Sequence, residues 1–184
     1  MLSLPIDDDV HLADLEPWHA EQLAGLFRAH GPDFYDWLPW QGFEEVDGAR
    51  GFVDGFVRGR ADGARRLYGV WVGGELMGGT LFPSINARSG IAEAGAFLAS
   101  PARGRGIVTR AVAAMLDWAF DERGLHRVEW RCAPGNLASR RVAERLGLTH
   151  EGTLREVFRV GEERQDLEVW AVLAGDWHGL PARP

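Results

Sequence analysis

The chain has 184 residues, of which 46% are hydrophobic and 26% charged, a composition typical of one folded domain and unlike that of a disordered chain. Its formal net charge of −7 argues against binding to duplex nucleic acid, which requires a basic face, and suits a cationic substrate such as an amine or a basic protein. No apolar stretch approaches the roughly 20 residues that cross a bilayer, and the N-terminus lacks a secretion signal, so we expect a cytoplasmic protein without a membrane partner.

The first elements are a strand and two helices. Residues 10–16 favour a strand, and Pro17 begins a helix that Gly31-Pro32 ends. The aromatic segment 34–40 is predicted as a loop. Residues 44–60 place apolar side chains at helical spacing and predict a second helix, although its glycines weaken it.

A hairpin and a third strand follow. Apolar runs at 67–72 and 76–82 flank Gly73-Gly74, which is typical of a tight turn between two strands. The stretch 83–90 is rich in turn residues, and 91–99 predicts the next strand.

The second half alternates helices and strands. The predicted elements are a helix at 108–123, a strand at 126–132, a helix at 137–146 and strands at 149–160 and 165–173. The resulting order, β-α-α-β-β-β-α-β-α-β-β, predicts an α/β layered domain (α+β). Its sheet should be mostly antiparallel, with one parallel pair around the 108–123 helix.

Cysteine and histidine give no sign of a metal site. Cys132 is the only cysteine, which excludes an intrachain disulfide and a cysteine-based zinc site. The six histidines show neither HExxH nor a similar pair, so we expect no metal.

One segment carries the pattern of an anion-binding turn. A strand leads into a turn rich in glycine and arginine, and the turn leads into a helix whose first N–H groups have no intrahelical partner. Gly104 and Gly106 let the backbone approach an anion closely, and Arg103 and Arg105 add positive charge. Neither a Walker GxxxxGK[ST] motif nor GxGxxG is present. From these residues alone, an ordinary basic loop before a helix explains the pattern equally well.

Two motifs resemble a known family. Arg103-Gly104-Arg105-Gly106 resembles the R/Q-x-x-G-x-G/A signature of the GNAT acetyltransferase superfamily, whose loop binds the pyrophosphate of coenzyme A; Val108 replaces the last Gly or Ala. Asn136-Leu137-Ala138-Ser139, with 143–148 and Glu151-Gly152, resembles the RimJ/RimL-type branch, which acetylates N-terminal α-amino groups, notably of ribosomal proteins. The resemblance implies a GNAT fold of about seven strands and four helices, a single domain over 1–184, and acetyl-CoA as cosubstrate.

The resemblance also implies a coenzyme-binding set. The acyl-CoA is expected in a cleft where strand 91–99 separates from strand 126–132, with strand backbone groups pairing with the pantetheine. The residues of this set are Phe97, Leu98, Ala99, Arg103, Gly104, Arg105, Gly106, Ile107, Val108, Thr109, Asn136 and Ser139. For Asn136, helix capping alone is the alternative role.

Ser139 is the expected catalytic acid. Many family members use a tyrosine to assist the leaving thiolate, but Ala143 occupies that position, and the RimJ/RimL-type branch is similar in using a serine. The alternative is that Ser139 only caps the helix. The amine is expected to attack the thioester directly, without a covalent enzyme intermediate, while a backbone N–H near Leu98 holds the oxyanion. Cys132 is then a core residue.

The general base is less clear from the sequence. In ribosomal-protein serine acetyltransferases a glutamate is proposed as the base, and its aligned position here is Phe158. Glu156 and Glu93 are the substitutes, and either can be a solvated strand carboxylate instead. The aromatic residues Phe34, Trp37 and Trp40 are expected to border the acceptor pocket.

Three functions remain open at this point. The first is acetylation of a protein N-terminus, and the second is acylation of a small amine or use of another donor such as succinyl-CoA. The third is a non-catalytic module that binds coenzyme A for regulation. The resemblance also implies that a homodimer can form.

Overall fold

The computed structural model describes residues 3–39 and 41–180, and a sheet of eight strands forms its centre. The strands are β1 (Ser3–Pro5), β2 (Val10–Asp14), β3 (Arg66–Val72), β4 (Glu75–Asn86), β5 (Ile91–Leu98), β6 (Arg127–Cys132), β7 (Thr149–Val160) and β8 (Glu163–Leu173). The helices are α1 (Ala20–His30), α2 (Pro32–Tyr35), α3 (Val46–Ala61), α4 (Ile107–Asp117) and α5 (Leu137–Arg145). None of the helices in this part of the chain is both long and apolar enough to cross a membrane.

The strand order is β1-β2-β3-β4-β5-β6-β8-β7. Every neighbouring pair in this order is antiparallel except β5 and β6, which run parallel on either side of the α4 connection. The predicted mixed sheet and its parallel pair are therefore confirmed. The strand β1 and the four-residue α2 come in addition to the seven strands and four helices that were expected.

The helices form two layers, one on each face of the sheet. Phe97 packs in a buried cluster with residues of α1 and α3, whereas the next residue, Leu98, packs with residues of α4. Because successive strand residues point to opposite faces, α1 and α3 cover one face and α4 covers the other. Trp130 and Cys132 pack in a further cluster with α4 and α5. Cys132 is buried there, as expected of a core residue.

Two predicted loops are more regular than expected. Strand β4 continues to Asn86 and so includes residues 83–86, which were predicted to form turns. Its pairing with β5 continues past Leu81 because the register shifts between Leu81 and Ser84. Pro83 lies in this irregularity, where its missing N–H removes no ladder hydrogen bond. Similarly, Pro32 not only follows α1 but begins α2, since proline suits the first turn of a helix.

Candidate active site

The cleft of interest opens where β5 and β6 separate. Their parallel pairing ends at Ala94 and Trp130. Beyond this point lies a cavity of about 570 Å³, lined by the end of β5, the turn before α4, the end of β6 and the start of α5. The cavity therefore lies where the cleft was predicted, beyond the point at which β5 and β6 separate.

The backbone of β5 turns some of its hydrogen-bonding groups toward this cleft. The Ala99 N–H donates to the Met77 carbonyl on the β4 side, at 2.8 Å. Because the backbone groups of successive residues in an antiparallel pair alternate in direction, those of Ala96 and Leu98 point the other way, toward the cleft, where the Leu98 carbonyl accepts from Arg103. Of the three predicted backbone contacts, Leu98 therefore faces the cleft with its N–H, whereas the backbone groups of Phe97 and Ala99 point to β4.

The glycine turn has the conformation that the anion-binding pattern requires. Gly104 and Gly106 have φ angles of 78° and 69°, a region that residues with a Cβ rarely adopt. Gly106 is the N-cap of α4 and provides no side-chain cap. Arg110 N donates to Gly106 O at 3.1 Å, which leaves the N–H groups of the preceding helical residues without intrahelical partners.

This turn lies between two cavities. Gly104, Gly106 and Thr109 line the cleft, and they also line an outer cavity of about 960 Å³. Ile107 and Val108 line the cleft only. A long ligand can therefore lie along the β5 edge, pass the start of α4 and end in the outer cavity.

The two signature arginines have partners within the protein. Arg103 Nε donates to the Leu98 carbonyl at 2.9 Å, and its guanidinium lies 3.9 Å from Asp33. Arg105 forms an ion pair with Asp9 at 2.9 Å. That both guanidinium groups flank a diphosphate stays a prediction. In this structure their contacts connect the turn to β5, α2 and the β1–β2 connection.

Two other arginines line the cleft without partners. Arg141 and Arg145 lie one turn apart on α5, and neither has an ion pair or side-chain hydrogen bond to another described residue. Arg145 also lines the outer cavity. Like charges at this spacing destabilise a helix by about 0.2–0.5 kcal/mol, a cost that a bound anion removes. This pair was not among the residues predicted from the sequence, although two arginines spaced by four on a helix after the signature turn could have indicated it.

Ser139 lies in the first turn of α5 at the cleft wall. Its backbone N–H donates to Asn136 Oδ1 at 3.1 Å, so Asn136 caps the helix as predicted. Its Oγ accepts a hydrogen bond from Trp130 Nε1 at 2.9 Å. Both Asn136 and Ser139 line the cleft.

The two candidate bases differ in position. Glu93 lines the cleft, and burial raises its pKa, although Arg131, at 3.8 Å, works in the opposite direction. Glu156 is exposed on β7 at a register irregularity, with a φ of 52°, and does not line the cleft. Phe158 does line it.

Neighbouring Glu129 is unsuited to the same role. Burial disfavours its ionised form, but hydrogen bonds from Arg131 and Arg127 lower its pKa overall. Glu129 does not line the cleft. The strand pair β5–β6 therefore offers one carboxylate, Glu93, that both faces the cleft and holds its proton more tightly than usual.

The aromatic segment contributes two of its three predicted residues. Phe34 and Trp37 both line the cleft, whereas Trp40 lies outside the described residues. Phe34 is buried and packs against Phe27 and Phe97, so it belongs mainly to the core. Trp37 is partly exposed and lies close to Gly135, in the connection between β6 and α5.

Comparison with known proteins agrees with this geometry. A family model described as an acetyltransferase (GNAT) domain matches residues 14–149. YdaF of Bacillus subtilis (strain 168), provisionally named a ribosomal N-acetyltransferase, is 29% identical over 97% of this chain and 99% of its own length. The ribosomal-protein-serine acetyltransferase of Escherichia coli (strain K12) is 24% identical over 92% of this chain and 95% of its own.

A solved structure shares the fold. RimL, a ribosomal L7/L12 alpha-N-protein acetyltransferase solved in complex with coenzyme A, has a TM-score of 0.87 at 22% identity, with 94% of this chain and 98% of that chain covered. Fold, cleft and relatives together define an acyl-CoA-dependent N-acetyltransferase. The chain belongs to the GNAT acetyltransferase family, and its resemblance to the RimJ/RimL-type branch is confirmed.

Proposed function

We propose that this protein, acting as one domain, transfers an acetyl group from acetyl-CoA to the α-amino group at the N-terminus of a protein. The observation that carries this proposal is the gap between β5 and β6, where the free backbone edge of β5 runs into a turn with two left-handed glycines. The names of the relatives, several of which are ribosomal-protein acetyltransferases, support the choice of acceptor.

The cleft offers groups that suit successive parts of coenzyme A. The backbone groups of Ala96 point toward the cleft and can pair with an amide of a pantetheine arm. The unpartnered N–H groups at the start of α4 suit the pyrophosphate. Arg141 and Arg145 line the cleft and supply positive charge there, whereas Arg103 and Arg105 already contact Asp33 and Asp9.

The thioester of acetyl-CoA supplies an activated acyl carbon. As the amine attacks, the nitrogen–carbon bond forms and the carbon–sulfur bond breaks. The acceptor begins as an ammonium group and loses two protons, one to the base and one to the leaving sulfur. Ser139 donates a hydrogen bond to the sulfur as it gains charge. A thiol pKa near 8.5 means that this modest assistance suffices. The Leu98 N–H points toward the cleft and can stabilise the developing oxyanion.

Glu93 is the base in this proposal. It is the candidate that lines the cleft, and its raised pKa brings it closer to that of an α-amine, which is near 8. Trp37 and Phe158 add apolar surface to the lining of the same cleft. The protein's net charge of −7 favours the approach of a cationic N-terminus.

The test is release of free thiol from acetyl-CoA in the presence of a panel of acceptors. The panel contains peptides with free N-termini, the same peptides with blocked N-termini, and small amines such as polyamines and aminoglycosides. We expect turnover only with free N-termini. Turnover confined to small amines would replace the proposed acceptor, and preference for succinyl-CoA would replace the donor. Coenzyme binding without turnover on any amine would identify a regulatory module.

A further inference from the structure

A tryptophan at the wall of the cleft donates a hydrogen bond to Ser139. Trp130 Nε1 lies 2.9 Å from Ser139 Oγ, and Trp130 is only 4% exposed. An indole N–H donates and cannot accept. Ser139 Oγ is therefore the acceptor in this bond, and its own hydrogen must point to a different group.

The remaining contacts of Ser139 leave that hydrogen available. Asn136 Oδ1 already accepts the Ser139 backbone N–H. Burial raises the pKa of the Cys132 thiol to about 11, and the neighbouring Ser139 side chain partly offsets this effect. Trp130 thus occupies the acceptor side of Ser139 Oγ, and the hydroxyl hydrogen can be donated to another group.

We propose that Trp130 is a positioning residue that holds Ser139 Oγ by its acceptor side, so that the hydroxyl hydrogen is available to the thiolate that leaves the acyl group. This rests on the catalytic role proposed for Ser139. A serine hydroxyl without a fixed donor rotates, and some of its orientations turn a lone pair toward the developing negative charge. The indole N–H occupies the acceptor side of Oγ, so the productive orientation exists before the reaction begins.

A purely structural role is the alternative, because a buried indole N–H needs a hydrogen-bond partner in any case. The chain offers a matched control for this alternative. Trp170 lies directly opposite Trp130 on β8, is 8% exposed and donates its indole N–H to Glu168 Oε2 at 3.0 Å. Replacing either tryptophan with phenylalanine removes the same group from the same core, but only Trp130 contacts Ser139.

The first experiment needs no ligand. In protein with ¹⁵N-labelled tryptophan, the Trp130→Phe variant identifies the indole signal of Trp130 by its absence. In Ser139→Ala, we expect this signal to shift and its hydrogen to exchange faster with solvent, while the Trp170 signal stays in place. An unchanged Trp130 signal in Ser139→Ala would overturn the proposal.

The second experiment separates positioning from structure. We expect Trp130→Phe to lower kcat by about fivefold, the range of one neutral hydrogen bond, with the affinity for coenzyme A unchanged, and Trp170→Phe to leave kcat within about twofold of the original. In the Ser139→Ala background, Trp130→Phe should have no further effect. An equal loss in both backgrounds would show that Trp130 acts only on the fold. If Ser139→Ala alone leaves turnover intact, the proposed catalytic role of Ser139 fails, which is a distinct result.

Discussion

At the residue scale, Ser139 and Glu93 meet the cleft from different faces of the sheet. Ser139 contacts Trp130, which lies on the face covered by α4 and α5. Glu93 shares the side-chain direction of Phe97, on the face covered by α1 and α3. In the proposed mechanism, the leaving sulfur and the attacking amine are therefore assisted by groups on opposite faces, and each group can be tested by its own substitution.

Replacing Ser139 with alanine tests the acid side. We expect turnover to fall by more than about tenfold, because the leaving thiolate loses its hydrogen bond, whereas coenzyme affinity should stay similar. Steady-state turnover and calorimetric binding of coenzyme A measure the two quantities. Since Asn136 caps α5 through the Ser139 backbone N–H, the helix cap is retained in the variant. Unchanged turnover would remove Ser139 from the mechanism.

The proposed role of Glu93 as the base predicts how turnover depends on pH. Burial raises its pKa, so its carboxylate becomes available only above the usual range for glutamate, and turnover should fall as pH drops through this raised value. In Glu93→Gln this limb should vanish and leave the titration of the substrate amine alone. Glu151→Gln is the control, because Glu151 is exposed and hydrogen bonds from Arg127 lower its pKa. A pH–rate profile that is the same in Glu93→Gln and the unmodified protein would contradict the assignment.

At the element scale, α5 brings two arginines to the cleft proposed to bind the coenzyme. We expect Arg141→Ala combined with Arg145→Ala to weaken coenzyme A binding about tenfold, since exposed ion pairs contribute up to about 1 kcal/mol each. The difference should shrink as salt is added. Calorimetric titration measures both effects. Arg88→Ala is the control, because Arg88 is exposed and lies outside both cavities. Equal losses in the Arg88 variant would point to net charge alone.

Elements whose signals are local could be predicted from the sequence. Gly73-Gly74 marked the β3–β4 hairpin, and Asn136 marked the start of α5, because turn and cap preferences act within a few residues. The extension of β4 past Pro83 could not be predicted in this way. It depends on a register shift against β5, which is a property of the pair and not of either strand alone.

The same distinction holds for the candidate site. The glycine turn was located because its pattern is contiguous. The partners of its arginines were not, since Asp9 and Asp33 lie far away in sequence and meet Arg105 and Arg103 only after folding. Glu93 and Glu156 could not be separated from the sequence either, because both alternate on strands and only the tertiary arrangement shows which one reaches the cleft.

At the scale of the whole molecule, coenzyme A should stabilise the fold. A ligand that bridges β5, α4 and α5 and binds only the folded state adds about 2.7 kcal/mol at one hundred times its Kd. For a chain of this size that corresponds to a rise in Tm of about 5–10 °C. Thermal unfolding followed by circular dichroism provides the measurement. The combined Arg141 and Arg145 variant should show a smaller rise at the same concentration, and the absence of any rise in the unmodified protein would contradict the proposed site.

The separation of β5 from β6 gives the cleft access to both faces of the sheet. Its lining includes Glu93 and Phe97 from one face and Leu98 and Trp130 from the other. In the proposed reaction, the group that assists the leaving sulfur and the base that receives the proton of the amine therefore stand on opposite sides of the sheet.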